Sequence, residues 1–427
     1  MRNKNFNIVV IGQIISLFGN AIQRFCMSLY ILDLTGSAAI FSSILAISTI
    51  PYILFAPMAG LLADTVNRKK IMLYLDFISA GLMAVYSIIL IGGMDNTIIV
   101  GSVMFMLSII YTLYSPAVTA CIPQIVEKED LEAANGIIQQ VGAVVNLTGP
   151  IVAGILYSLV EIKTIVIINA VSFLLVAILE VFLDIPDLKV KEKINNPLTK
   201  STSEMTKSFY YLKEKKKVVL GIIISYGLTN IFVVPILSIV SPYFIKIRLN
   251  MSSAVYGFSE AVFVLGMIIG GLLITTKPKL FNMKEIHKTM YPMVAAITLM
   301  ATAAYFAMEN NYIVLGLYSL GGFGIMLSLA LSNVISLTYM QKEVKEDMLG
   351  KVSAFSTAIA TASVAPGQLI YGQLIETNIN MHYILLLTLL LSICVVTFIK
   401  WNAGRIDLDE KTRSAVLNET IDEIEMV

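Results

Sequence analysis

Charge is what this sequence has least of. Only 14% of its 427 residues are Asp, Glu, Lys or Arg, against 57% hydrophobic residues and a mean hydropathy of +0.81. A soluble protein carries about 25% charged residues. So few could not cover the surface of a 46.8 kDa globule, which excludes a soluble enzyme, a nucleic-acid-binding protein and a disordered scaffold. Cysteine and histidine are scarcer still, at three and two residues. Cys26, Cys121 and Cys394 fall in apolar runs with no paired spacing, so they read as small buried hydrophobes rather than a disulfide framework. His287 and His382 lie far apart near loops, and this inventory builds no metal site and calls for no cofactor. Nucleophile-elbow, zinc-protease and phosphate-loop motifs are also missing, which argues against an enzyme or a pump with its own ATP motor.

What is abundant is long apolar runs. A membrane-spanning helix needs about 20 mainly apolar residues. By that rule the sequence predicts an all-α integral membrane protein of twelve spans, at about 6–33, 38–62, 70–92, 97–122, 136–158, 163–184, 218–245, 254–275, 290–308, 312–340, 351–375 and 382–401. Pro116, Pro123, Gly149 and Pro150 interrupt the fourth and fifth, where neighbouring helices can re-satisfy the freed backbone groups. With the N-terminus inside, twenty-six lysines and arginines fall on cytoplasmic segments and three outside: Lys163, Lys246 and Arg248. That imbalance predicts a multi-pass plasma-membrane protein with both termini cytoplasmic.

The longest hydrophilic break divides six spans from six. It predicts an N-terminal six-helix bundle over 1–184, a cytoplasmic linker over 185–217, a C-terminal bundle over 218–401 and a cytoplasmic tail over 402–427. Within the linker, Met205, Phe209, Tyr210 and Leu212 beside a lysine cluster predict a short amphipathic helix on an anionic membrane surface. The bundles are pseudo-symmetric. Val9-Val10-Ile11-Gly12 matches Val218-Val219-Leu220-Gly221, and Asn20 matches Asn230. Gly60 matches Gly271, and Pro150 with Gly154 matches Pro366 with Gly372, all at an offset between 209 and 218. Parallel repeats of this kind put a solute site near the midplane between the halves.

Between spans two and three stands Gly60-Leu61-Leu62-Ala63-Asp64-Thr65-Val66-Asn67-Arg68-Lys69-Lys70, and span five carries Gly142 through Asn146, Gly149, Pro150 and Gly154. The first resembles the loop signature of the major facilitator superfamily of secondary transporters, with Thr65 and Asn67 as departures. The second is similar to the glycine–proline signature of that superfamily's drug/proton antiporters, although span four lacks the arginine many drug exporters carry there. A narrower resemblance, to the macrolide-efflux and siderophore-exporter branch, rests on three stretches. They are Gly12-Gln13 with Ser16 and Gly19, Leu34-Thr35-Gly36-Ser37-Ala38, and Ser115-Pro116-Ala117 through Leu131-Glu132-Ala133-Ala134-Asn135. The resemblance implies a proton-coupled exporter of amphipathic, macrolide-like drugs working by alternating access. Gly60, Asp64, Arg68, Gly149, Pro150 and Gly154 would be its conformational-gating residues.

Ionisable groups inside spans are costly and usually face a cavity or a partner. Arg24 lies midway through span one. It either attracts an anionic solute group or neutralises a buried carboxylate, and a structural pair or snorkelling is the bland alternative. Glu260, two turns into span eight, is the first candidate for a coupling proton and Asp76 of span three the second, the latter with pairing to Arg68 or a nearby helix end as its ordinary explanation. Asp33, Glu180 and Asp184 read as solvated span ends. Gln13, Asn20, Gln139, Asn146, Asn169, Asn230 and Asn333 are uncharged polar groups at span centres; some line the cavity and others hold helices together. Asn20, Arg24, Asn230 and Asn333 are the expected substrate-cavity residues. The partners expected are a small-molecule substrate, a proton and the lipid bilayer, with no nucleic acid, for a chain acting as a monomer. The readings in competition are a carrier of an anionic solute such as a siderophore, lysolipid or phosphorylated metabolite and, more remotely, a non-transporting membrane sensor.

Overall fold

The computed structural model describes residues 3–185, 197–306 and 311–425, and these are helical apart from short connections. Each predicted span has a helix. In order they are Lys4–Thr35, Ala38–Leu54 with Ala56–Thr65, Arg68–Ile91, Thr97–Ile125, Leu131–Leu159 and Ile162–Val181, then Lys217–Arg248, Ser253–Thr276, Tyr291–Tyr305, Asn311–Glu343, Glu346–Glu376 and Met381–Glu425. Among the described residues, ten helices are long and apolar enough to cross a membrane, and eleven when the bent span two counts as one. Span nine is 15 residues long, and a tight 3₁₀ stretch over Met283–Met290 leads into it.

Local chemistry sets the ends. Gly36 takes a left-handed φ of 61° to close span one, and the Ser37 side chain then caps span two by accepting from the Ile40 N–H at 3.2 Å. Asn96 caps span four by accepting from the N–H groups of Ile98 and Ile99, both at 3.0 Å. Span two bends by 44° at Phe55, where Pro57 lacks the N–H and its ring clashes with the preceding turn. Spans four and five, by contrast, run unbroken through Pro116, Pro123 and Pro150, so the predicted interruptions are absent. Span seven departs from α geometry after Pro235, with π turns over Ile236–Val240 and Phe244–Arg248.

Two compact units emerge from the contacts. The first is 1–203 with 235–264 and 364–380; the second is 204–234 with 265–363 and 381–427. Their edges differ from the expected bundle edges at 184 and 218, because the ends of spans seven, eight and eleven that point away from the chain termini pack with spans one, two and five. The first unit holds an apolar core of Phe6, Val9, Met72, Tyr114, Cys121 and Ile122. In the second, Leu212, Val219, Ile223, Met340, Val352 and Phe355 form the core. The linker helix Pro197–Lys215 therefore docks on its own unit through the buried Leu212, with Phe209 and Tyr210 left exposed. Asn402 is buried in span twelve and donates to the Val218 carbonyl at 2.9 Å, so that helix runs past the expected start of the tail at 402. Large apolar side chains such as Ile88, Ile98 and Leu159 stand exposed along the spans, as a lipid solvent permits.

Candidate functional site

Four spans of the first unit bring charge and aromatic rings together. Arg24 is exposed in mid-span one. Its guanidinium lies within electrostatic reach of Glu260 on span eight and of Tyr111 on span four. Tyr111 meets Tyr52 of span two edge-on at 6.0 Å, and Phe25 stacks on Tyr256 at 5.2 Å beside the pair. Glu260 is half-buried, and its Oε2 is shut away from solvent without a hydrogen-bond partner. Arg24 thus has a carboxylate within electrostatic reach while its side chain stays exposed.

A second charged cluster was not legible in the sequence. Spans three and six pack along their length and bury Asp76 to 2% exposure and Glu180 to 1%. The Tyr114 hydroxyl of span four donates to Glu180 Oε1 at 3.1 Å and also reaches Asp76. Two expectations are thereby corrected. Asp76 does not pair with Arg68, whose Nε donates to the Ala63 carbonyl at 3.1 Å, and Glu180 is no solvated span end. Asp184 and Asp33 are exposed, as expected.

At the loop face away from the termini, small residues allow backbones to touch. A Cβ on Gly154 of span five would meet the Ser253 carbonyl at the start of span eight, and one on Gly257 would meet the Pro150 carbonyl. The repeat-related glycine, Gly372 of span eleven, lies as closely on Ser42 and the Ala38 carbonyl of span two. Gly149 sits against Ala21, where a Cβ would come within 3.1 Å of the alanine methyl. Polar contacts tie the same face. Lys246 pairs with Asp33 at 3.1 Å, Tyr157 donates to Asp33 at 3.0 Å, and Glu376 accepts from Ser37 Oγ at 3.0 Å and the Ala39 N–H at 3.2 Å. Near the opposite face Asp64 is exposed and Gly60 has open space where a Cβ would stand, so packing does not demand glycine there.

The expected cavity asparagines divide between the units. Asn20 is half-buried in the first. In the second, Asn230 donates to the Ala360 carbonyl at 3.0 Å, a helix-to-helix bond, while Asn333 is exposed and its carbonyl accepts from Tyr226 at 3.4 Å. Asn169 likewise holds helices together, donating to Gln23 at 3.1 Å. Sequence reasoning missed an apolar cavity of about 630 Å³ in the first unit, between spans two, four and eleven, lined by Ile44, Ile47, Gly101, Phe105 and Gln373. Its only sequence signal is the run of small residues Ala39, Ser43, Gly101 and Ser102. Among the described residues no group of three His, Cys, Asp or Glu side chains is placed to hold a metal ion.

Comparison with known proteins agrees with this architecture. The sequence pattern of the Major Facilitator Superfamily matches residues 9–368. Macrolide efflux protein A of Streptococcus pyogenes is 27% identical over 398 residues, covering 91% of this chain and 94% of that protein. Macrolide efflux protein A of Enterococcus faecalis is 26% identical over 340 residues, 78% of this chain and 99% of that protein. In fold, the chain is similar to the nucleoside transporter NupG, with a TM-score of 0.73 at 14% identity over 94% of this chain and 100% of that one. It is also similar to a bacterial homologue of the iron transporter ferroportin in its inward-facing state, with a TM-score of 0.70 at 16% identity over 93% of this chain and 98% of that one. A match over nearly the whole length, on twelve helices of the expected order, makes this chain a multi-pass membrane transporter of the Major Facilitator Superfamily.

Proposed function

We propose that the chain exports amphipathic, macrolide-like compounds across the plasma membrane in exchange for protons, as a monomer with both termini cytoplasmic. The observation that carries this reading is that Arg24, exposed within span one, lies within electrostatic reach of the half-buried Glu260 of span eight. The names of the macrolide efflux relatives support the solute class. A carboxylate beside a guanidinium changes its partner when it takes a proton: ionised, Glu260 satisfies Arg24; protonated, it releases Arg24 to the solute or to water. Binding of an amphipathic solute against Tyr52 and Tyr111 and binding of the proton thus compete through one side chain. Asn20 adds to the polar lining in the same unit, and Asp76 is the second proton-carrying group.

The loop face away from the termini is then the external gate. The Gly154–Ser253 and Gly372–Ala38 contacts hold it shut, fastened by Lys246–Asp33, and opening outward breaks them together. Gly149 and Pro150 give span five its close fit, while Asp64 and Arg68 act at the opposite gate.

The test is proton movement in everted membrane vesicles with an acid interior, challenged with macrolides, cationic dyes and anionic siderophores. The expected result is that a macrolide dissipates the gradient with wild type and not with Glu260→Gln. Gradient loss with no compound in the panel would overturn the reading. The exposed guanidinium of Arg24 favours one other reading, a carrier of an anionic solute. In that case Arg24→Gln loses the anionic compounds alone.

A further inference from the structure

Among the described residues, the pair of acids between spans three and six has no counter-charge in ion-pair contact. Asp76 and Glu180 both reach the hydroxyl of Tyr114, which carries one hydrogen and can donate to only one of them at a time. Asp76 Oδ2 and Glu180 Oε2 are buried without a hydrogen-bond partner. From span one, Ser16, itself 3% exposed, faces the same hydroxyl, and its Oγ makes no hydrogen bond of standard geometry. Three polar atoms are therefore left over around one phenol.

The neighbouring charges are accounted for. On span four, Cys121 lies within electrostatic reach of both Glu180 and Arg68. Arg68 is held by the Ala63 carbonyl, and Lys69 Nζ donates to the Val181 carbonyl at 2.7 Å. Span one offers Ser16 and Gln13, neither ionisable. Among the described residues, neither acid forms an ion pair. Two ionised carboxylates beside each other and away from water repel strongly, and a buried charge persists only when paired, so this geometry requires a positive charge between them.

We propose that Asp76, Tyr114 and Glu180 form a proton-binding site, in which the two carboxylates hold one proton between them. The proton sits on an oxygen of one acid that the phenol leaves unpartnered, and the phenol donates its hydrogen bond to the other, ionised carboxylate. On release to water the pair carries two negative charges between the two helices it joins, so occupancy biases how spans three and six pack. The inference deepens the proton-coupled reading by giving Asp76 a partner that the sequence assigned to solvent. The site itself is testable without any transported solute, so its failure and the failure of the exporter reading are separable.

Infrared difference spectroscopy of the purified full-length protein reads the carbonyl stretch of a neutral carboxylic acid, which shifts on deuterium exchange. At neutral pH wild type is expected to show such a band. Glu260→Gln retains it, and the double variant Asp76→Asn with Glu180→Gln loses it. Tyr114→Phe keeps the acids but removes their donor, so the band moves to higher frequency; this variant decides the matter if the double variant does not fold. A wild-type spectrum without the band, a double variant that retains it, or a band unmoved in Tyr114→Phe would overturn the proposal. So would a band that appears only when sodium or potassium is withdrawn, which would put a metal cation in the proton's place.

Discussion

Glu260 lies within electrostatic reach of a guanidinium, whereas Asp76 and Glu180 lie within electrostatic reach of each other. Both centres lie in the first unit and both leave carboxylate oxygens without hydrogen bonds. Among the described residues, only the first lies within electrostatic reach of an exposed side chain of opposite sign. The difference teaches how one helical bundle holds acids under two electrostatic rules. An acid with a cation can exchange that cation for a proton while the site stays open to solute. A pair of acids with a phenol between them, in the proposed site, shares a proton whose occupancy biases how the helices around it pack.

The variants that strike at this contrast fall in a clear order of effect. Neutralising the acid of the first centre, Glu260→Gln, is expected to reduce gradient-driven export to background while solute-for-solute exchange across reconstituted vesicles continues. Retained uphill export would show that the first centre does not carry the coupling proton. Next, Arg24→Gln strips the first centre of its cation and makes it resemble the second. Export is expected to fall about tenfold, which corresponds to about 1.4 kcal/mol, and an unchanged initial rate of macrolide uptake would refute a functional guanidinium. Tyr114→Phe removes the phenol that donates to Glu180 in the second centre. A buried acceptor left unsatisfied costs about 1–3 kcal/mol, so the thermal midpoint of the purified protein should drop by several degrees, and a midpoint equal to wild type would contradict the contact. The Asp33–Lys246 pair at the span ends calibrates both centres, because its aspartate side chain is 36% exposed. Pairs at such partly exposed positions contribute about 0.2–1 kcal/mol. Lys246→Gln is therefore expected to change the export rate by no more than about fivefold, and a complete loss would mean that the external gate depends on this pair alone.

Hydropathy carried most of the fold. Apolar runs of span length placed all twelve helices, because a lipid-embedded segment has few alternatives to a helix. Where geometry departed from that rule the sequence was silent. The break at Phe55 and the π turns after Pro235 depend on how neighbours re-satisfy the backbone, and prolines elsewhere left spans four and five whole. The site was legible in part. Arg24 and Glu260 were singled out because charge within a span needs a reason, and they lie within electrostatic reach of each other. Glu180 was passed over because an acid one turn from a span end is usually solvated. Here the chain beyond span six stays in the core, with Leu183 and Ile185 at 2% and 6% exposure, so burial outlasts the helix. Asn230 shows the reverse error, a polar group expected in the cavity that bonds instead to a neighbouring helix. Gly154 and Gly372 carried a repeat in the sequence; that both are backbone-contact points needed coordinates.

The most direct test of proton-coupled export uses purified protein in liposomes, with solute and proton fluxes recorded together while a pH gradient is imposed in either direction. The account predicts that a macrolide moves up its own gradient against an opposing proton flux, that both fluxes reverse when the pH gradient is reversed, and that Glu260→Gln abolishes both. Macrolide movement indifferent to the direction of the pH gradient would contradict it.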